Sequence, residues 1–270
     1  MDLGIAGRAC VVTGASRGIG RETARMLCSE GASVLLVART NEALQEAASD
    51  CGRAGASAGG RAAPFALDVT DPTAGERVLA EATDRFGKID VLVNNASSAK
   101  WRDVEEVPDE DWQEAWDVNV MASLRLIRAL VPGMRERGWG RVVNVSSTAA
   151  KRPSANMPEY SVAKAALLSL SRLYADRCAK DGVLVNAICP GPTKSELWMA
   201  PGGLADQSAR LSGLSGREEA LARAAAGRPI GRLAEVREIA AAVVFLCSEQ
   251  ASYVAGAAWS VDGGTVPIII

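Results

Sequence analysis

The chain of 270 residues contains no histidine. That absence excludes a Ser-His-Asp hydrolase, a Cys-His protease and any zinc site built on imidazole, so proton transfer near neutral pH has to use another side chain. Charge of one sign is lacking too. With 30 basic and 32 acidic residues the net charge is -2, and no Lys/Arg cluster of the kind that tracks a phosphate backbone occurs. Nucleic acid is therefore not an expected partner. No uncharged run approaches the ~18 apolar residues of a membrane span, and the start, MDLGIAGRAC, has no basic region ahead of an apolar segment. The expectation is a soluble, unexported protein without membrane association. The six cysteines (Cys10, Cys28, Cys51, Cys178, Cys189 and Cys247) show no C-x-x-C pairing, and most lie in apolar stretches. That is how reduced thiols behave in a cytoplasmic protein, and no metal site is expected.

A hydrophobic content of 48% is enough for one globular domain over residues 1-270. Seven short runs rich in β-branched residues, RACVVT, SVLLVA, PFALDV, DVLVNNA, RVVNVSS, VLVNAIC and AAWSVDGG, read as strands, most of them apolar on both faces as in a covered parallel sheet. Helical patterns lie between them at Gly18 to Ser29, Asn41 to Asp50, Pro72 to Phe86, Asp109 to Arg137, Pro158 to Lys180 and Ala234 to Ser248. The Gly/Ala-rich stretch Cys51 to Ala63 reads as a surface loop. Alternation of this kind predicts an α/β fold, a doubly wound, Rossmann-like sheet of seven mostly parallel strands flanked by helices.

The first strand runs into TGASRGIG, Thr13 to Gly20. A strand, a glycine-rich turn and a helix N-terminus form an anion site, because unpaired N-H groups and the positive end of the helix dipole face whatever lies above the turn. Gly14 allows the turn, Gly18 allows a pyrophosphate to approach the backbone, and Gly20 allows close contact of helix and sheet. No Gly-Lys-Ser/Thr follows, so a P-loop is excluded. Dinucleotide binding is the functional reading; an ordinary strand-to-helix turn is the alternative.

A second constellation is EYSVAKAALLSLSRLY, where Tyr160 and Lys164 project from one face of a helix. Ser147 closes the strand RVVNVSS at the carboxyl edge where ligands bind in open α/β sheets. Asn119, in DVNVMAS, belongs to a helix that flanks that edge. An ammonium ~4 Å from a phenol at an effective dielectric of ~20 contributes about 4 kcal/mol, roughly three pKa units. Lys164, aided by the positive charge of a bound oxidised dinucleotide, is thereby expected to bring the Tyr160 phenol towards neutrality.

These residues resemble the short-chain dehydrogenase/reductase family over about Leu3 to Gly264. TGASRGIG is similar to its cofactor loop, NNA at Asn94 to Ala96 to its strand-four motif, YSVAK to its Y-x-x-x-K, PGPTKS at Pro190 to Ser195 to its nicotinamide-side motif, and VDGG at Val261 to Gly264 to its closing strand. The resemblance implies a catalytic tetrad of Asn119, Ser147, Tyr160 and Lys164. It implies cofactor contacts at Gly14, Ser16, Arg17, Gly18, Ile19, Gly20, Arg39, Asp68, Val69, Asn95, Ala96, Tyr160, Lys164, Pro190, Gly191, Thr193 and Ser195. Departures stand at Ser97, where the family usually has Gly, at Thr193 in an aliphatic position, and at Ser195 in place of Thr.

The second strand ends VLLVARTNE, with Ala38 where family members using NAD often have Asp, followed by Arg39. An acid there binds a ribose 2′-hydroxyl, whereas Arg accommodates a 2′-phosphate. Arg39 and Arg17 therefore point to NADP(H), with NAD(H) as the alternative. The implied activity is reduction of a ketone to a secondary alcohol, with carrier-bound 3-oxoacyl chains among the candidate substrates. An alcohol or sugar dehydrogenase and a catalytically silent NADPH-binding regulator are the other readings. The resemblance also makes residues 191-228 a substrate lid with Trp198, Met199 and Leu204 as an apolar wall. Lys100, Trp101 and Arg102 either greet an anionic substrate or form an exposed loop. A homotetramer is expected, and the apolar tail Val266 to Ile270 agrees with burial in an assembly or a core.

Overall fold

In the computed structural model, residues 2-267 are described. Seven strands form one parallel sheet: β1 (Ala9–Thr13), β2 (Ser33–Ala38), β3 (Arg61–Ala66), β4 (Val91–Asn94), β5 (Gly140–Val145), β6 (Val183–Pro190) and β7 (Ala258–Val261), in the order β3-β2-β1-β4-β5-β6-β7. The order reverses between β1 and β4, which opens the crevice where ligands bind in such sheets.

Helices α1 (Gly18–Ser29), α2 (Asn41–Gly55) and α10 (Val236–Leu246) cover one face; α3 (Ala74–Phe86), α5 (Ala122–Glu136) and α6 (Pro158–Cys178) cover the other. Strands β1, β2, β4, β5 and β6 are buried at every position, because helices lie on both sides and no residue faces water. The continuous apolar runs of the sequence follow from that. The cysteines are all free and buried, and no described helix is long and apolar enough to cross a membrane.

Several expected boundaries shift. The third strand covers Arg61–Ala66 rather than the run from Pro64 to Val69. Its register is set by β2, with Ser33 opposite Arg61 and Ala38 opposite Ala66, and Pro64 is tolerated because β3 is an edge. Asp68 and Val69 therefore lie in the loop beyond the strand. The expected loop Cys51 to Ala63 is mostly regular structure. α2 continues to Gly55 because Leu44, Ala47, Ala48 and Cys51 are buried on one face, leaving a short turn before β3. The expected helix Asp109 to Arg137 is two helices, α4 (Asp109–Trp116) and α5, joined by a π-helical turn at Asp117–Met121. Three short helices, α7 (Glu196–Met199), α8 (Leu204–Leu211) and α9 (Arg217–Ala226), follow β6. They carry a separate small cluster of Trp198, Leu204, Ala205 and Leu233, against which Trp101 and Met157 pack.

Candidate active site

A chain of buried polar contacts aligns the strand ends with α6. The Asn94 side-chain amide donates to Asn144 Oδ1 at 2.8 Å, Asn144 donates to Ser171 Oγ at 2.8 Å, and Ser171 donates to the Leu167 carbonyl at 2.7 Å. Ser146 Oγ donates to the Lys164 carbonyl at 3.0 Å, and Lys164 Nζ donates to the Val145 carbonyl at 2.8 Å. Each such bond contributes about 1 kcal/mol net and costs more if broken with its partner left buried. The rotation of α6 is thereby set, and Tyr160 and Lys164 face the carboxyl edge of β5.

The glycine turn is tied to β4 in the same way. Thr13 Oγ1 accepts the backbone N-H groups of Asn95 and Ala96, each at 3.0 Å, and the Asn95 amide donates to the carbonyls of Thr13 at 2.9 Å and Gly14 at 3.2 Å. Gly14 has φ +62°, and a Cβ on it would lie 2.9 Å from Ala96 Cα, so a side chain is excluded by both conformation and space. α1 begins at Gly18 with no side chain capping it. Its first N-H groups have no intrahelical partner, which leaves an anion-binding end at the crevice.

Of the expected site residues, Gly14, Ser16, Arg17, Gly18, Ile19, Arg39, Asp68, Val69, Asn95, Ala96, Ser147, Tyr160, Lys164, Pro190, Gly191, Thr193 and Ser195 line a single cleft of roughly 940 Å³. Gly20 and Asn119 do not. Gly20 is buried behind the turn, where a Cβ would strike the Gly14 carbonyl and the Asn95 amide. It is a packing glycine. Asn119 sits in the π-helical turn, with Nδ2 donating to the Ala115 carbonyl at 2.9 Å and Oδ1 accepting from Ser97 Oγ at 2.7 Å. Ser97 lines the cleft and stands beside the Tyr160 hydroxyl, so Asn119 is linked to the cleft through a serine placed where the family usually has glycine.

The electrostatics differ from the expectation. Burial pushes the Tyr160 phenol up, and the neighbouring hydroxyls of Ser147 and Ser97 only partly offset it. Lys164 is not among the groups that shift the phenol. Its Nζ is 5.6 Å from the Tyr160 ring centroid, one of its three N-H donors goes to the Val145 carbonyl, and burial lowers its own pKa to about 7. A desolvated amine that is only partly charged is a weaker perturber than the full cation assumed from spacing alone.

Asp68 accepts the backbone N-H of Thr70 at 2.9 Å and its hydroxyl at 2.8 Å, which, with help from Arg39, holds the carboxyl below its usual range. Lys100 and Arg102 are committed to ion pairs: Lys100 with Asp111 at 2.7 Å and Glu114 at 2.6 Å, Arg102 with Asp111 at 2.9 Å. Trp101 packs edge-on against Trp198 with ring centroids 6.3 Å apart. Trp198 and Leu204 reach the cleft wall, whereas Met199 packs behind them. Arg152, Arg223 and Arg228 also line the cleft. Nothing in the sequence singled them out, since they come from separate segments without periodic spacing. Among the described residues no cluster of acid or thiol side chains suits a metal ion.

Residues 14-266 match the profile of a family described as Enoyl-(Acyl carrier protein) reductase. The chain is 35% identical over 262 residues to the 3-oxoacyl-(acyl-carrier-protein) reductase FabG of Vibrio cholerae, covering 97% of this chain and 98% of that protein. Among solved structures it superposes on the L-sorbose reductase of Gluconobacter frateurii complexed with NADPH and L-sorbose, with a TM-score of 0.91 and 38% identity over 100% of both chains. It also superposes on an actinorhodin polyketide ketoreductase with NADPH, with a TM-score of 0.89 and 33% identity over 96% of this chain and 97% of that one. The sheet order, the glycine turn closed against β4, the paired Tyr160 and Lys164 on α6 and these full-length similarities agree: the chain belongs to the short-chain dehydrogenase/reductase family of oxidoreductases.

Proposed function

We propose that the protein is an NADP(H)-dependent reductase that converts a ketone to a secondary alcohol, with Tyr160 as the proton donor. The observation that carries this reading is one continuous cleft with a side-chain-free turn and two arginines at one end and Tyr160, Ser147 and Lys164 at the other. The residues suit a dinucleotide: Gly14 and the uncapped start of α1 leave room and donors for a pyrophosphate, and Arg17 and Arg39 offer guanidinium forks that fit a phosphate. That both named structural neighbours carry NADPH supports the phosphate-bearing cofactor.

When bound along Gly14, Arg17 and Arg39, NADPH would supply the hydride for the carbonyl carbon. Tyr160, kept protonated by burial, donates its proton to the carbonyl oxygen, so that C=O becomes CH-OH. Ser147 hydrogen-bonds the same oxygen and stabilises the charge that develops on it. Lys164 positions the ribose side and returns a proton to the phenol, and Asn119 with Ser97 orients that end of the site. The segment 191-228, with α7, α8 and α9, serves as the substrate lid. NADPH consumption over a panel of ketones tests the reading. Turnover of at least one is the expected result; stoichiometric NADPH binding without any oxidation would instead make the protein a silent cofactor-binding regulator. The similarity to an L-sorbose reductase keeps sugars in the panel as well as acyl thioesters.

Cofactor choice has its own test. Arg39→Ala should reduce the ratio of kcat/KM for NADPH over NADH by roughly tenfold or more, the scale of one lost charge-assisted contact. A wild-type preference for NADH would overturn the assignment to NADP(H).

We also propose a cytoplasmic homotetramer. Val162 and Leu173, 51% and 68% exposed, stand on the outer side of α6, the edge strand β7 presents Trp259, and Tyr253 in the turn before it is fully exposed. Apolar groups so placed are normally covered by another chain. Light scattering should give about four times the 28.2 kDa chain mass, and a monomer at micromolar protein would refute it. Of the apolar tail, Ile268 to Ile270 lie outside the described residues.

A further inference from the structure

Several cations around the lid are matched by an acid. Lys100 and Arg102 share Asp111, Arg217 pairs with Asp206 at 2.5 Å, Arg232 with Glu238 at 2.7 Å, and Lys194 with Glu235 at 2.6 Å. Arg152, Arg223 and Arg228 line the catalytic cleft, and among the described residues none of the three takes part in an ion pair; Arg152 and Arg228 stand near each other.

Arg228 follows α9. One of its terminal nitrogens donates to the Ala224 carbonyl at 2.6 Å, while its Nε is buried with no hydrogen-bond acceptor. An orphaned buried donor costs about 1-3 kcal/mol, more on a charged group. Arg152 lies five residues beyond Ser147, close enough that its charge, together with burial, lowers the pKa of Arg228. The one nearby acid acting on Arg228 is Asp262, whose carboxylate accepts the backbone N-H groups of Gly264 and Val266 at 3.0 and 2.9 Å instead of forming an ion pair. A partly buried guanidinium with an unsatisfied donor, beside a second cation at one cleft wall, suits an anion that completes it.

We propose that the substrate carries an anionic oxygen group, a carboxylate or a phosphate, distal to the reacting carbonyl, and that Arg228 and Arg152 bind it. The proposal rests on ketone reduction at Tyr160. Guanidinium forks match both anions bidentately. The apolar wall of Trp101, Trp198 and Leu204 lies in the same cleft and suits the carbon chain joining the two ends. The substrate class is therefore a keto acid or keto phosphate. The charge expected of Lys100 and Arg102 is supplied instead from the opposite segments, because the former pair is already neutralised.

The test compares levulinate and its higher homologues, each with its methyl ester, and dihydroxyacetone phosphate with dihydroxyacetone, under NADPH. Wild type should favour at least one anion over its neutral partner by roughly tenfold or more in kcat/KM. Arg228→Gln and Arg152→Gln should each lower that ratio several-fold, chiefly through KM for the anion. The series that shows the preference tells carboxylate from phosphate. Neutral substrates used as well as their anionic partners throughout, or a preference that survives the double variant, would overturn the subsite. Arg152 is exposed and makes no side-chain bond among the described residues, so Arg152→Gln reports even where Arg228→Gln does not fold. If no ketone is reduced, the reductase reading fails separately, and calorimetry with hexanoate and NADP+ decides the subsite. Hexanoate should bind wild type at least ~5-fold more tightly than the double variant, and equal or absent binding would refute it.

Discussion

Tyr160→Phe should lower kcat for ketone reduction at least ~10²-fold, the usual scale for losing a general acid. Tyr160 is 9% exposed, and its desolvated environment pushes the phenol up from its ordinary value. At neutral pH the group is a loaded proton donor, which is what reduction of a carbonyl requires. Phenylalanine keeps the ring and its packing and deletes only the transferable proton. Ser147 remains hydrogen-bonded to the Ala149 N-H at 3.1 Å, and α6 remains held by Ser146, Asn144 and Ser171. The fold should therefore survive, and circular dichroism and Tm should be close to wild type while turnover collapses. Turnover within a few-fold of wild type would show that the proton comes from elsewhere.

A change in stability with pH is the second large effect. The Lys164 amine has a pKa of about 7 in the folded protein and ~10.4 in an unfolded chain. Below pH 7 both states hold the proton. Above it the unfolded state holds more protons than the folded one, so stability rises with pH until the unfolded amine also titrates. Between pH 7 and pH 8.5 the lysine's own share of that gain is about 1-2 kcal/mol. Burial acts in the opposite sense on the thiols: it pushes Cys10, Cys28 and Cys178 up, Cys189 up to about 11 and Cys247 up to about 12, so that in this range they ionise more readily in the unfolded chain, where a thiol titrates near ~8.5. The thiols are common to wild type and Lys164→Met, so the lysine is read from the difference between their stability profiles in denaturant melts without added nucleotide: wild type should gain about 1-2 kcal/mol relative to the variant from pH 7 to pH 8.5. An identical slope in the variant would mean that the amine is not desolvated as the buried Val145 contact implies.

The same lysine shows where reading along the chain stops. That Tyr160 and Lys164 share a face follows from 3.6 residues per turn and needs no coordinates. How far the ammonium lies from the phenol, and how much of its charge survives burial, depends on Val145, which is contributed by a strand closed against α6. Spacing places the two side chains together, and the strength of their interaction is set by the packing around them. Asn119 is a similar case. Its place in a helix was legible, but the π-helical turn and the link through Ser97 arise only when α4 and α5 pack beside β4.

By itself the amino-acid order determined the class of fold, the glycine turn and the pairing of Tyr160 with Lys164 on one helix face, because strand periodicity, positive-φ glycines and one-turn spacings are local properties of the backbone. Only the tertiary structure decided which glycine faces the cleft and which packs, which cations are neutralised and which are left free. Gly14 and Gly20 belong to one motif, yet one borders the cleft and the other is pressed against the Gly14 carbonyl. Lys100 and Arg102 sit next to a recognised motif and are spent on Asp111, whereas Arg152 and Arg228, 76 positions apart, meet at the cleft unpaired. Charge balance at a site is a sum over everything brought within a few ångströms, and that sum does not exist until the chain has folded.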